Sequence, residues 1–334
     1  MLKVGLIGCG GMGGVHAVSY EKLAGKVQIA AVADVVKERR EKFGEKYGCV
    51  AYADGMELIE KAEVDFVDIC VPTYIHAELA IAAMKKGFDV FVEKPLCMTR
   101  EEGFALCKTQ KETGRKVQVG QVVRFMNEWR WLKKAIDDCR FNKLNFVRFF
   151  RLSPTPVWGW ENWFMDPYKS GGAALDLHLH DVDFVRYVFG DEIKEMKSVS
   201  AKNSDGRIDH ICTTFDYDGT MIVVEGGWDL KAGAPFSAGY EAYFEEATVV
   251  LRDGKLHVYK DGKDEVVDYN DACAEDTGIN VKAGSAYAAE LEYFIDEILT
   301  ERGEEIVSLL EGLKSVQLVL DEIELCKGAI KKNQ

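Results

Sequence analysis

Apolar positions follow one rhythm over roughly the first 120 residues and another beyond them. Short apolar runs at 4–8, 28–34, 66–71, 89–93 and 116–120 have the length of buried strands. Between them, segments with helical spacing predict helices at about 12–23, 37–47, 56–61, 76–86 and 100–113. That alternation specifies an α/β domain with a doubly wound parallel sheet covered by helices. After about Gln121 the runs at 146–152, 211–217, 221–228, 241–251 and 255–259 are longer and more alternating, and Asp218-Gly219 and Asp253-Gly254 are hairpin signals. They predict an α+β domain with a large, mostly antiparallel open sheet. Helices at 173–189 and 285–300 are expected to cover one face of that sheet, with 309–327 closing the chain. A length of 334 residues exceeds one ordinary core and predicts two domains, 1–121 and 122–334. No repeat or low-complexity tract separates them. The sheet face left uncovered is expected to be buried between subunits of a homodimer or homotetramer.

The first strand breaks into Gly8-Cys9-Gly10-Gly11-Met12-Gly13, which opens a helix. Gly8 permits the tight turn, Gly10 lets backbone approach phosphate, and Gly13 lets helix and strand pack closely. With Gly11 and Met12 these residues would hold a dinucleotide pyrophosphate at the helix N-terminus. The second strand ends in Asp34, 21 positions after Gly13, where this architecture expects an acid to bind the adenosine ribose. A carboxylate there faces a 2′-phosphate as a like charge, at about 4 kcal/mol per pair at 4 Å and an effective dielectric near 20. NAD is therefore expected over NADP. Lys37, Arg39 and Arg40 either turn inward to accommodate that phosphate or form the solvated face of the next helix.

Composition narrows the classes. A net charge of −14 argues against general affinity for nucleic acid or anionic membranes, which need clustered cations. The apolar stretches are strand-sized and no charged-then-apolar leader precedes the first strand, so a cytoplasmic protein with no membrane partner is expected. Nine cysteines, at 9, 49, 70, 97, 107, 139, 212, 273 and 326, form no C-x-x-C pair, which indicates neither a disulfide framework nor a zinc knuckle. Cys97 alone lies near candidate chemistry, with packing as its alternative role.

The strand at 89–93 ends in Glu93-Lys94-Pro95, placing an ammonium at the carboxyl edge of the sheet, where it can hydrogen-bond a substrate oxygen. Gly171-Gly172 then leads into a helix on which Asp176 and His180 have i, i+4 spacing. The aspartate can fix the imidazole's tautomer and support its cation, suiting His180 to accept a hydroxyl proton; the alternative is a histidine that merely satisfies a buried aspartate. His178 falls about 160° from His180 on helical geometry and is expected to be structural. Asp176, His180 and Asp183 lack an obvious further ligand, so no metal is expected.

Together the glycine turn, Glu93-Lys94-Pro95 and the G-G-x-x-x-D-x-x-x-H pattern from Gly171 to His180 resemble the Gfo/Idh/MocA family of glucose-fructose oxidoreductase and inositol dehydrogenase relatives. Val71-Pro72-Thr73-Tyr74-Ile75-His76, Trp163-Phe164-Met165-Asp166-Pro167 and Ala289-Glu290-Leu291-Glu292-Tyr293-Phe294 extend the similarity along the chain. The resemblance implies Lys94, Asp176 and His180 as the catalytic group, with Pro72, Thr73, His76, Glu93 and Lys94 at the nicotinamide end. It also implies Tyr240 facing substrate. Gln121 to Arg124 departs from the family's arginine-rich variant. Trp163 either stacks on the sugar or anchors the sheet. The implied activity is reversible oxidation of a secondary hydroxyl of a sugar, polyol or related carbohydrate by hydride transfer to nicotinamide. His180 would take the proton and Lys94 would offset developing charge on the oxygen. Two other readings stay open: an NAD-dependent glycoside hydrolase acting through transient oxidation, and a non-catalytic dinucleotide-binding regulator.

Overall fold

A computed structural model of the protein describes residues 1–202, 206–269, 275–276, 282–283, 285–300 and 306–328; Cys273 lies outside them. The chain divides into two units. In the first, β1 (Leu2–Ile7), α1 (Gly11–Lys22), β2 (Val27–Ala33), α2 (Lys37–Tyr47), β3 (Val50–Tyr52), α3 (Gly55–Lys61), β4 (Phe66–Ile69), α4 (His76–Lys86), β5 (Asp89–Glu93), α5 (Arg100–Thr113) and β6 (Val117–Gly120) alternate as expected. The six strands are all parallel, in the order β3-β2-β1-β4-β5-β6. The order reverses between β1 and β4, and ligands bind at the carboxyl ends of the strands at such a switch point. Helix ends carry local signals: Thr99 and Glu102 form a capping box, and Gly48, Gly87 and Gly114 close helices in the left-handed conformation.

The second unit contains α6 (Asn127–Asp137), β7 (Leu144–Pro154), α7 (Pro167–Ser170), a π-helical turn at Ala174–His178, α8 (Leu179–Phe189), β8 (Glu195–Lys202), β9 (Ile208–Tyr217), β10 (Thr220–Leu230), β11 (Ser237–Phe244), β12 (Thr248–Arg252), β13 (Lys255–Lys260) and β14 (Lys263–Val267). The strand order is β14-β13-β12-β11-β7-β10-β9-β8, antiparallel except for the β7–β10 pair. The hairpin signals behave as expected: Asp218-Gly219 and Asp253-Gly254 both have positive φ, the requirement of a type I′ turn. Asp261-Gly262 repeats the device between β13 and β14. The run at 241–251 breaks into β11 and β12 across Glu245-Glu246-Ala247, where no Gly, Pro or Asn marks a turn.

One face of this sheet is apolar and buried through Val147, Phe149, Ile211, Phe215, Ile222, Val224, Tyr240 and Val249. The other carries a cross-strand row in register, Met221, Phe146, Tyr243, Thr248 and Tyr259, with Met221, Tyr243 and Tyr259 each more than 40% exposed.

The last two helices are α9 (Ser285–Thr300) and α10 (Leu309–Gly328). Contrary to expectation, α9 covers the parallel sheet of the first unit. Its Leu291, Phe294 and Ile295 enter the core with Val4, Leu6, Phe66 and Phe91, and Phe294 meets Phe66 and Phe91 edge-on at 5.5 and 5.8 Å. The first unit therefore comprises Met1–Phe125 with Asp271–Lys314. No helix among the described residues is long and apolar enough to cross a membrane. Because Phe294 fills the centre of that core, Phe294→Ala is expected to cost about 3–5 kcal/mol in urea unfolding. A fragment of residues 1–121, lacking Leu291, Phe294 and Ile295, is expected to show no cooperative transition of its own.

Candidate functional site

The glycine turn is dictated by contact as much as by conformation. Gly8 has φ +101°, and a Cβ there would lie 2.4 Å from the Cys70 carbonyl oxygen. A Cβ on Gly13 would lie 1.8 Å from the Gly8 carbonyl oxygen. Only glycine lets α1 seat so closely on the end of β1. The helix begins at Gly11 with Gly10 as its N-cap and no capping side chain, so its first-turn N–H groups remain an anion site. Asp34, 9% exposed, follows β2. Its two carboxylate oxygens accept from the Cys9 amide at 2.8 Å and the Val36 amide at 2.7 Å. The acid is thus fixed to the edge of the glycine turn before any ligand arrives. Arg40 folds back to donate to the Asp34 carbonyl oxygen at 3.1 Å, while Lys37 faces outward beside Glu41 at 3.6 Å. Arg39 reaches to within 3.8 Å of where a Gly10 Cβ would stand. These residues fit a dinucleotide: an uncapped helix start, two close backbone approaches and a preset acid.

At the ends of β4 and β5 the predicted nicotinamide-end residues form two adjoining turns. Pro72 leads into a 3₁₀ turn at Thr73–Ile75, with Thr73 and His76 almost wholly buried. The His76 ring nitrogens lie 2.8 Å from the carbonyl oxygens of Pro95 and Val71, tying this turn to the one after β5. Burial holds the His76 pKa below its ordinary value. The Lys94–Pro95 peptide is cis. Glu93 is turned inward and buried, and one of its oxygens accepts from the Lys94 amide at 3.1 Å. Cys97 is buried, with its thiol pushed up to about 12 by that burial, and so has no thiolate character.

Beneath these turns lies a cluster that the sequence reading missed. His16, three residues after Gly13, is fully buried; its Nδ1 is 2.8 Å from Asp68 Oδ2 and its Nε2 is 3.0 Å from Glu93 Oε1. Tyr20 donates to the same Asp68 oxygen at 2.8 Å, and Cys70 Sγ sits 3.2 Å from His16 Nδ1. Although burial works against its charge, Asp68 and Cys70 hold the His16 pKa well above the ordinary histidine value. From α9, Glu290 adds a fully buried carboxyl group whose two oxygens have no hydrogen-bond partner among the described residues. Burial, then the nearby negative charge of Glu93, pushes its pKa well up, which favours the neutral form of Glu290. The available signal was the helical phase of α1, which puts His16 and Tyr20 on one face, toward the sheet.

In the second unit, Asp176 lies within the π-helical turn and His180 in the first turn of α8, both half-buried. A π turn winds through less angle per residue than an α turn, so the helix expected at 173–189 is not uniform; Asp176 and His180, four residues apart across the end of that turn, still fall on one side of it. His178 is structural, as expected: fully buried, with Nε2 2.7 Å from Glu322 of α10. Arg151 clamps Asp181 with two bonds of 2.9 Å, fixing α8 to β7. Trp163 is half-buried and stacks on Phe164 at 4.1 Å. Tyr240 corrects the expectation of a substrate-facing residue. It is wholly buried, donates to the Glu128 carbonyl oxygen at 2.8 Å and packs edge-on against Trp129, because β11 turns that side to the core.

Comparison with known proteins agrees with this geometry. The family model described as "Oxidoreductase family, NAD-binding Rossmann fold" matches residues 2–121, and "GFO/IDH/MocA C-terminal domain" matches residues 129–250. The chain is 32% identical to myo-inositol 2-dehydrogenase of Thermotoga maritima over 235 residues, 70% of this chain and 66% of that protein. It is also 32% identical to inositol 2-dehydrogenase of Rhizobium meliloti over 228 residues, 67% of this chain and 65% of the relative. Both alignments thus span just under two-thirds of the relative. A structure of levoglucosan dehydrogenase with NADH and levoglucosan shares the fold, with TM-score 0.82 and 21% identity over 98% of this chain and 97% of that one.

The buried carboxyl group of Glu290 generates a pH test. Its pKa is raised on folding from an ordinary value near 4.5, so above that pH the folded state holds a proton that the unfolded state has lost, and stability falls as pH rises. Glu290→Gln removes this penalty. The variant is expected to gain on the parent protein by about 1.4 kcal/mol per pH unit above pH 5, until the folded-state pKa is reached. Urea melts across pH 5–8 check it; a constant difference would show that Glu290 is ionised in the fold.

Proposed function

Since this chain belongs to the Gfo/Idh/MocA oxidoreductase family, we propose that it reversibly oxidises a secondary hydroxyl of a polyol, sugar or related carbohydrate with NAD. The observation that carries this reading is Lys94, at the carboxyl end of β5 on the same sheet edge as the dinucleotide turn. The identity to inositol 2-dehydrogenases supports a polyol as substrate. When bound, NAD supplies the hydride acceptor. The chain's own groups handle the oxygen and the proton. Lys94 donates a hydrogen bond to the reacting hydroxyl oxygen and offsets its developing charge, His180 takes the hydroxyl proton, and Asp176 orients the imidazole and supports its cation. The uncapped start of α1 and Asp34 bind the dinucleotide. Pro72, Thr73, His76 and Glu93 shape and brace the turns at the nicotinamide end. Trp163, with one face stacked on Phe164, offers its other face to the sugar.

Asp34 favours NAD, since its fixed carboxylate would oppose a 2′-phosphate and Arg40 is folded back on the Asp34 carbonyl oxygen. The eight described cysteines are all without disulfides, in keeping with a reducing cytoplasm. The sheet row of Met221, Tyr243 and Tyr259 is proposed as a contact between two copies of the chain.

A screen of cyclitols, aldoses, amino sugars and sugar acids at the NADH absorbance band tests the activity. Lys94→Ala and His180→Ala are each expected to lower kcat at least about 100-fold while the Kd for NAD stays within about threefold. NADH production surviving in both variants would defeat the assignment; sugar release without accumulating NADH would indicate hydrolysis. The kcat/KM with NAD is expected to exceed that with NADP by at least about tenfold. For the assembly, Tyr243→Glu combined with Tyr259→Glu is expected to reduce the mass in light scattering to that of one chain. A parent protein that is already monomeric would refute the contact.

A further inference from the structure

We propose that His16 is a positioning residue for Lys94, a ring that ties the helix cradling the dinucleotide to the strand end that carries the lysine. The inference rests on the dehydrogenase reading given above. It begins from a chain of contacts running through three elements, α1, β4 and β5. Asp68 at the end of β4 is held by the Tyr20 hydroxyl at 2.8 Å and approached by Cys70 Sγ at 3.4 Å. His16 from α1 meets Asp68 at 2.8 Å with one nitrogen and Glu93 at 3.0 Å with the other. Glu93 at the end of β5 then accepts from the backbone amide of Lys94 at 3.1 Å. The fold makes room for this arrangement at Gly120 on β6, where a Cβ would stand 2.9 Å from Glu93 Oε1. Any side chain at 120 would push the carboxylate out of the contact.

Both ring nitrogens face carboxylate oxygens in a site without exposure, and only a doubly protonated ring satisfies both as a donor. Phe91 lies edge-on at 5.5 Å and Tyr287 of α9 at 6.2 Å, so no water surface competes for the ring. The titratable groups facing it are Asp68, Cys70, Glu93 and Glu290, with Tyr20 behind Asp68. Asp68 and Glu93 both face the ring, and the burial that favours the neutral form of Glu290 works against a further charge in this dry space. Neither His16 nitrogen then retains a lone pair for a metal ion, although the His16, Glu93 and Glu290 ligand atoms lie within 4.8 Å of one another.

The consequence is geometric. His16 sits on the second turn of the helix whose first turn meets the dinucleotide, so a single ring sets where Lys94 leaves β5 relative to the cofactor. Misplacing a reacting group by about 1 Å costs on the order of 100-fold in rate.

The test uses the full chain and three readouts. Nitrogen-15 spectra are expected to show a histidine with both ring nitrogens protonated up to pH 8 that is lost in His16→Asn, separate from the signal of His210, whose pKa Glu225 and Asp229 raise to about 9 and which persists in the variant. His16→Asn and Glu93→Gln are each expected to lower kcat about 10- to 100-fold with the Kd for NAD within about threefold, and the double variant to be no worse than either single one. Reductive carbon-13 methylation, assigned with Lys94→Arg, is expected to show the Lys94 titration midpoint moving by at least about half a pH unit in His16→Asn. A neutral His16 at pH 8, additive losses in the double variant, or a Lys94 midpoint that does not move would each overturn the proposal. If the parent protein reduces NAD with no polyol, the dehydrogenase reading fails, and the two spectroscopic readouts still decide the role of His16.

Discussion

The contact between Gly13 and the Gly8 carbonyl sets everything around it. With no Cβ in the way, α1 descends onto the end of β1 so closely that its axis and rotation are fixed by backbone alone. Its N-terminus then points its amides along the crevice at the switch point, and its next turns deliver His16 and Tyr20 beneath β4 and β5. A methyl group at position 13 would lift the helix, moving the anion site and the buried imidazole together. Cofactor binding and the placement of Lys94 therefore share one mechanical origin.

Much of this was legible in the chain because the signals are local. Gly8, Gly13 and Asp34 declare a phosphate turn and its distal acid, and the Asp-Gly pairs declare hairpins because both residues tolerate positive φ. What escaped depends on contacts distant in sequence. The helix α9 has an apolar face that would suit either sheet, and only Phe66 and Phe91 decide that it covers the first. Tyr240 resembles a cleft residue until the alternation of β11 turns it onto Trp129. The π turn at Ala174–His178 has no signature in its residue types. His16 has no signature in the glycine motif beside it, because its partners Asp68 and Glu93 lie 52 and 77 residues further along the chain.

Both units brace their candidate catalytic segments with buried charged or ionisable pairs. In the first, Asp68, His16 and Glu93 hold the end of β5. In the second, Arg151 grips Asp181 at the start of α8, and Glu322 meets His178 between Asp176 and His180. Such pairs are poor sources of net stability, since taking the charges out of water offsets most of their attraction. Their value is directional. An apolar contact at the same places would tolerate a slide of an ångström at little cost, whereas a hydrogen bond between buried ionisable groups loses its partner and leaves a desolvated group behind. The positions flanked by these pairs are the candidate catalytic ones, where chemistry would need placement more than free energy, and polar groups lie in sequence beside Lys94 and His180 while most buried strand positions are aliphatic or aromatic.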